Sequence, residues 1–225
     1  MKSTPNELAS LYRDRFDAAQ AYRDRVWQVL VADFFQAFIP ERASILDLGC
    51  GYGQFINHVR ARQKFGMDLN PATAGHLTPE VRFLRQDCAL PWEVPDRSLD
   101  TVFTSNFLEH LPDKTALQAT LAQAGRCLKP SGRLIALGPN IKYLPGLYWD
   151  FWDHHVALTE NALREALLVS GFKVTRCLPK FLPYTMAQGP QYPLLFLRLY
   201  LRLPLAWRFL GKQFLVIAQA PTAPG

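Results

Sequence analysis

Two periodicities in the hydrophobic pattern indicate where strands and helices lie. Short apolar runs bounded by glycine, proline or acidic residues are typical of buried strands, whereas apolar residues at three- and four-residue steps are typical of helices. The predicted strands occupy residues 44–48, 64–68, 81–87, 96–104, 133–138, 172–177 and 213–219. The range 96–104 includes the turn that leads into its strand. The predicted helices between them occupy residues 53–62, 114–128 and 159–170. This alternation predicts an α/β fold around a largely parallel sheet.

The N-terminal region is predicted to form a helical cap. Residues 5–38 repeat apolar side chains at helical spacing, and Ile39-Pro40 ends the pattern. We expect this cap, residues 1–40, to pack on the sheet before its first strand.

A hydrophobic, basic insert separates the last two predicted strands. Residues 179–212 contain five prolines, and the apolar stretch 194–203 predicts a helix with Arg198 and Arg202 on one face. A second short helix is predicted to follow. The chain as a whole predicts one domain, residues 1–225, with this insert inside it.

A glycine-rich loop follows the first predicted strand. Asp47 is followed by Gly49, Gly51 and Gly53, and glycine at alternate positions allows positive φ and close approach of a ligand. A helix after such a loop directs free N–H groups at the ligand, as in nucleotide-binding folds. A dinucleotide fingerprint requires glycine where this chain has Gln54, which disfavours an NAD-binding oxidoreductase. The Asp47 carboxylate suits a cationic amino group better than a pyrophosphate.

This D-x-G-x-G-x-G loop resembles motif I of class I S-adenosylmethionine (SAM)-dependent methyltransferases. Three later features resemble the same family in the same order: the acid that closes the second strand, the segment SNFLEHL at 105–111 and the phrase LKPSGRL at 128–134. The resemblance covers residues 44–178. It implies a Rossmann-like seven-stranded sheet of order 3-2-1-4-5-7-6, with strand 7 antiparallel, and SAM as the cofactor.

The resemblance also implies which residues hold SAM. Asp68 lies 19 residues after Gly49, and a carboxylate there accepts hydrogen bonds from both ribose hydroxyls. Asp87 and the following backbone N–H are expected to bind the adenine edge. Asn106 and Phe107 are expected to lie beside the methionine end and the adenine. The full predicted cofactor set is Asp47, Gly49, Cys50, Gly51, Asp68, Leu69, Asp87, Cys88, Asn106 and Phe107.

An aromatic loop after the fifth strand is predicted to form the acceptor side. Residues 143–155 are unusually aromatic for a loop, which is typical of a ligand or partner contact. His154 or His155, flanked by acids, is predicted to be the general base that a hydroxyl acceptor needs near neutral pH. No metal-binding set is predicted. The predicted acceptor contacts are Tyr148, Trp149, Trp152, Arg198 and Arg202.

The charge of the chain is concentrated near its C-terminus. The net charge is +6, and residues 166–225 hold seven Lys or Arg and no Asp or Glu, so residues 1–165 carry −1. This distribution argues against a nucleic-acid-binding protein. An apolar helix with arginines favours three roles for 194–210: a lid on the acceptor, a peripheral membrane contact or a homodimer contact.

The remaining predictions concern the compartment of the protein and the acceptor that it methylates. The four cysteines form no C-x-x-C pair, and no signal core or spanning segment is evident, so we expect a cytoplasmic protein, with the inner face of the membrane as a peripheral site. The pattern P-N…D-x-x-D-H…L-T…G-F resembles methyltransferases of bacterial glycan and natural-product pathways. We therefore predict O-methylation of a sugar or other small hydroxylated acceptor. The alternatives are a quinone, phenol or polyketide-like acceptor, and a non-catalytic SAM-binding partner protein.

Overall fold

A seven-stranded sheet organises the protein, as the computed structural model shows for residues 20–184 and 191–220. Its strand order is β3-β2-β1-β4-β5-β7-β6, with β7 antiparallel to both of its neighbours. The predicted Rossmann-like fold class is therefore confirmed. The strands are β1 Ser44–Leu48, β2 Gln63–Met67, β3 Val81–Leu84, β4 Leu99–Ser105, β5 Leu128–Pro139, β6 Lys173–Leu178 and β7 Gln213–Gln219.

The five parallel strands end at one edge of the sheet, and that edge carries the candidate site. β1 pairs in parallel with β2 on one side and β4 on the other. All five residues of β1 are buried, because both faces of the sheet are covered. In open α/β sheets, ligands bind in the crevice outside the carboxyl ends of the strands.

Helices cover the two faces of the sheet and divide the core between them. One face is covered by α2 and α3, and the other by α1 together with the pair α4 and α5. Asp113 and Thr159 cap α2 and α3 by accepting from the N–H groups of Ala116 and Ala162. The helices are α1 at residues 20–33, α2 Lys114–Cys127, α3 Glu160–Val169, α4 Leu194–Leu201 and α5 Pro204–Leu210.

One predicted helix is wrong. Residues 53–62 form turns rather than a regular helix. The N–H of Asn57 bonds the carbonyl of Gly53, but the Asn57 side chain bonds the backbone of His76 and Thr78 instead of solvent. The N–H of Arg62 donates to the carbonyl of Ala43, next to the start of β1. This bond fixes the end of the segment beside the sheet, so a longer helix does not form.

The boundaries of other elements also differ from the pattern. β3 ends at Leu84 rather than residue 87, whereas β5 is longer than predicted and begins at Leu128. The predicted cap begins outside the described residues; from residue 20 it is α1, followed by a 3-10 turn at Phe35–Phe38. None of the described helices is long and apolar enough to cross a membrane.

Candidate functional site at the carboxyl edge of the sheet

The glycine loop is held against the end of β2 by its own backbone. Gly49, Gly51 and Gly53 have φ angles of 69°, 51° and 74°. The N–H groups of Gly49 and Cys50 donate to the carbonyl of Met67, at 2.9 and 3.1 Å. The positive φ angles, which other residues adopt only at a cost, explain why the sequence has glycine there.

Asp68 links the glycine loop to the segment after β2. Its Oδ2 accepts from the N–H of Gly51 at 2.8 Å, and its Oδ1 accepts from the N–H of Asn70 at 2.9 Å. A carboxylate has about four acceptor positions, so acceptor capacity remains on both oxygens. Leu69, which directly follows Asp68, has an exposed side chain.

Asp47 is a buried carboxyl group that fits a cationic ligand. Asp47 is only 3% exposed. Burial, and then the nearby charge of Asp68, raise the pKa of Asp47 well above its usual range, despite a hydrogen bond from the Ile56 N–H. The ammonium group of SAM would supply the missing positive charge. The pair Asp47 and Asp68 therefore fits a ligand that joins an amino acid to a ribose.

The predicted adenine-side residues occupy the same edge with different exposures. Asp87 is exposed, and its carboxylate accepts from the N–H of Ala89. Cys88 is buried, and its sulfur accepts from the hydroxyl of Thr120 at 3.3 Å, so only its backbone is available to a ligand. Burial also raises the pKa of the Cys50 thiol, which is therefore a neutral packing group.

Phe107 covers the glycine loop from the end of β4. A Cβ atom at Gly49 would lie 2.2 Å from two atoms of the Phe107 ring, so only glycine permits this contact. The neighbouring Asn106 is exposed, has a φ of 48° and donates to the hydroxyl of Ser105. A cleft of about 440 Å³ is lined by the start of α1, by Tyr52 and Gln54, and by Asn57 and His76.

A second cluster lies two residues beyond Phe107 and contains a buried acid. Glu109 is 1% exposed, and burial raises its pKa to about 8. Its Oε2 has no hydrogen-bond partner among the described residues. The Glu109 carbonyl accepts from the N–H groups of His155 and Val156, at 2.9 and 3.0 Å, which fastens the aromatic loop to the end of β4.

Two histidines face this acid. His154 is 6% exposed, and its Nδ1 has no partner in the part of the chain that the structure describes. Burial, and then His110, lower the pKa of His154, although it hydrogen-bonds the Tyr148 backbone. Nδ1 of His110 lies 3.0 Å from the carbonyl and 3.1 Å from the carboxylate of Asp153. Among the described residues, Glu109, His110 and His154 are the group that could hold a metal ion, with ligand atoms within 4.8 Å of one another.

The structure corrects part of the predicted acceptor set. Tyr148 is fully buried; its hydroxyl donates to the carbonyl of Val156 and accepts from the N–H of Leu158, so the predicted acceptor contact is wrong. Arg198 Nε lies 3.5 Å from Asp33 on α1, but its side chain remains about half exposed, so its contact with an acceptor stays a prediction.

Other predicted acceptor residues remain available. Trp149 and Trp152 are exposed on the aromatic loop, Trp152 at 98%. His155 and Arg202 are also exposed.

Glu109 is the functional candidate that the sequence prediction missed. The signal was present, since a carboxyl group between Leu108 and Leu111 directly after a buried strand is unusual. The local sequence does not reveal its burial, because nothing local shows that a distant loop covers it.

A buried asparagine after β5 links the start of α3 to the segment after β6. The side-chain N–H₂ of Asn140, after β5, donates to Glu160 at 2.6 Å and to the carbonyl of Pro179 at 3.0 Å. Burial alone would raise the pKa of Glu160, but hydrogen bonds from Lys142 and Asn140 outweigh it and hold the pKa below its usual value. The start of α3 is therefore fixed to the end of β5.

Comparison with known proteins agrees with this geometry. A family described as methyltransferase domain matches residues 19–176. No curated protein matches the chain.

Several solved structures share the fold. The protein bound by the Trm112 methyltransferase activator of Haloferax volcanii is 19% identical, with a TM-score of 0.67, and 92% of this chain aligns with 95% of that one. A SAM-dependent methyltransferase from Archaeoglobus fulgidus is 20% identical, with a TM-score of 0.63 and coverage of 91% and 98%. A TehB-like SAM-dependent methyltransferase from Corynebacterium glutamicum is 17% identical, with a TM-score of 0.59 and coverage of 95% and 97%.

Proposed function

The chain belongs to the methyltransferase domain family and uses SAM as its cofactor, and from this premise we propose that it methylates a hydroxyl oxygen of a sugar or another small hydroxylated acceptor. The pairing of a buried acid with a buried imidazole after the end of β4 supports this choice of acceptor. Glu109 Oε2 and His154 Nδ1 are both buried and both lack a partner among the described residues. A hydroxyl group would offer its proton to one of them.

The residues of the chain position the acceptor and remove its proton. When bound, SAM supplies a methyl group that its sulfonium already activates. The acceptor oxygen forms a bond to that carbon as the carbon–sulfur bond breaks, which yields a methyl ether and S-adenosylhomocysteine. The hydroxyl proton passes to His154 Nδ1. Among the described residues, Nδ1 has no hydrogen-bond partner, so it is the ring nitrogen available to a hydroxyl group.

A panel of acceptors tests the proposed chemistry. The enzyme is incubated with SAM carrying a labelled methyl group and with glycosides, phenols, quinols and amines of similar size. We expect the label on glycoside oxygens, because Trp149 and Trp152 are exposed aromatic side chains on the loop that carries His154. Label on phenols or quinols alone would favour the quinone or polyketide-like class. SAM binding without transfer to any acceptor would favour the non-catalytic partner protein.

The pair α4 and α5 presents an apolar surface that suggests where the acceptor is found. Leu194, Leu197 and Leu201 point inward and pack on the core, with Trp207 from α5. The opposite side of the pair leaves large apolar side chains exposed. These are Leu195, Phe196, Leu199, Leu203, Leu205, Phe209 and Leu210.

We infer that this surface docks on an anionic membrane. Arg202 and Arg208 are exposed beside the apolar side chains, and the chain has no acidic residue after position 165. Apolar side chains flanked by cations are the combination that binds the interface of anionic lipids. A lipid-linked acceptor would be presented to the enzyme at such a surface.

Vesicle sedimentation tests the docking surface. We expect the wild type to sediment with vesicles of phosphatidylcholine and phosphatidylglycerol, and less with phosphatidylcholine alone. Phe196→Ser combined with Phe209→Ser should reduce binding by about tenfold or more, since each removes buried apolar area at the interface. The matched control combines Leu168→Ser with Val169→Ser, two exposed apolar positions at the end of α3, and should bind as the wild type. A stable dimer that the Phe196 and Phe209 changes dissociate, without vesicle binding, would contradict the membrane role.

A further inference from the structure

Three side chains from two separate segments bring possible metal-ligand atoms close together. Glu109 and His110 follow β4, whereas His154 belongs to the aromatic loop. Their ligand atoms lie within 4.8 Å of one another. The geometry points to a site for a divalent transition-metal ion, bound by the Glu109 carboxylate and the imidazoles of His110 and His154.

The unsatisfied atoms in the cluster are those that a metal ion would bind. Glu109 Oε2 and His154 Nδ1 have no hydrogen-bond partner among the described residues, although both are buried. A buried polar atom without a partner is costly, and two in one place indicate a missing ligand. A divalent cation bound by the Glu109 carboxylate and the His154 imidazole would satisfy both atoms together.

The hydrogen bonds around the cluster orient the histidines as metal ligands require. Ligating histidines usually donate their second ring N–H to a carbonyl or carboxylate. Nδ1 of His110 faces the Asp153 carbonyl and carboxylate, so its Nε2 is left for a metal. Nδ1 of His154 is buried and has no partner among the described residues, so it is available to a metal.

The backbone holds the two ligand segments together before any ion binds. The Glu109 carbonyl accepts from the N–H groups of His155 and Val156, the residues that directly follow His154. The rings of His110 and His154 are also in contact, with centroids 4.8 Å apart. The site is therefore preorganised.

The donor set indicates which ions fit. Two imidazole nitrogens and one carboxylate oxygen suit zinc, iron, cobalt or manganese, whereas magnesium and calcium prefer oxygen ligands. Three protein ligands leave at least one coordination position open, as in catalytic metal sites. The acceptor hydroxyl would occupy it.

A metal ion would change how the hydroxyl is activated, and this catalytic role rests on the proposed function. An oxygen bound to the ion loses its proton to solvent more readily, because the ion stabilises the alkoxide. His154 would then act as a ligand instead of a base. The methyl ether and S-adenosylhomocysteine would still be the products.

Metal binding is measured on the full chain without SAM or acceptor. The protein is stripped with a chelator and titrated with Zn²⁺ by calorimetry, with Co²⁺ by visible absorption and with Mg²⁺ for comparison. We expect one Zn²⁺ per chain, Co²⁺ bands typical of nitrogen ligands, and much weaker Mg²⁺ binding. Glu109→Gln and His154→Ala should each lower Zn²⁺ affinity by more than about 100-fold, since even outer-shell partners are worth 10–100-fold.

A matched histidine change controls for surface binding. His58 pairs with Asp24 on α1, and His58→Ala should bind Zn²⁺ as the wild type does. If a ligand variant does not fold, the wild-type Co²⁺ spectrum still decides, because the absence of nitrogen-ligand bands overturns the site.

Activity then separates the metal site from the proposed function. A bound ion whose removal stops glycoside methylation supports both. Full transfer by the stripped enzyme overturns the catalytic role of the ion but not O-methylation. A bound ion with no methyl transfer to any hydroxyl overturns the proposed function and leaves the metal site standing.

Discussion

Replacing His154 with alanine is expected to lower kcat for methyl transfer by about 10²–10⁴-fold, the range typical of a lost general acid–base group. The imidazole is buried, and its Nδ1 is without a partner among the described residues, beside an acid in the same state. The affinity for SAM should stay within about threefold, because His154 is not among the predicted SAM contacts. The measurement is steady-state methylation of the best glycoside from the acceptor panel, with SAM binding measured separately by calorimetry.

Further variants show whether this loss reflects chemistry rather than folding. His154 packs against Tyr148 and Phe151, so alanine leaves a cavity, and its unfolding temperature must be compared with that of the wild type. His154→Gln keeps a polar side chain and should also lose kcat. We expect a smaller loss from His155→Ala, since that residue is exposed. Full activity of a folded His154→Ala enzyme would contradict both roles given to this residue.

Replacing Asp68 with alanine is expected to weaken SAM binding by about 100-fold or more. The carboxylate holds the N–H groups of Gly51 and Asn70 and keeps acceptor capacity for two ribose hydroxyls. A hydrogen bond to a charged group contributes about 1.5–3 kcal/mol, and about 1.4 kcal/mol corresponds to a tenfold change in affinity. Two lost ribose contacts therefore account for the expected effect, before any disorder of the glycine loop. Calorimetric titration with SAM measures it directly.

An acid elsewhere on the sheet provides the control for Asp68. Asp96 lies in the turn before β4 and pairs with Arg126 of α2, which places it at the opposite edge of the sheet. Asp96→Ala should bind SAM as the wild type does. An affinity for SAM that is equally unchanged in Asp68→Ala would exclude ribose binding by Asp68.

The sequence predicted the sheet better than the site, and particular residues show why. The strand 213–219 was predicted with its observed bounds, because its apolar run is bounded by polar residues on both sides. The loop glycines were also recognisable, since positive φ at three alternate positions leaves a local signature. These features depend on short-range chemistry, which periodicity and residue type record.

The features that sequence did not predict depend on contacts between distant segments. Tyr148 lies between Leu147 and Trp149, and nothing local shows that its ring alone turns into the core. Glu109 is buried because residues 155–156 bond to its carbonyl from another part of the chain. The turns at 53–62 replaced a predicted helix because the Asn57 side chain bonds the 76–78 backbone. Such long-range bonds override local helical propensity.

Calorimetric titration of the wild-type protein with SAM and, separately, with NAD⁺ tests the cofactor site on which every other inference depends. One SAM bound per chain and no heat from NAD⁺ is the expected result, because Gln54 occupies the position where a dinucleotide loop needs glycine and the Asp47 carboxylate suits an amino group better than a pyrophosphate. Binding of NAD⁺ without binding of SAM would contradict it.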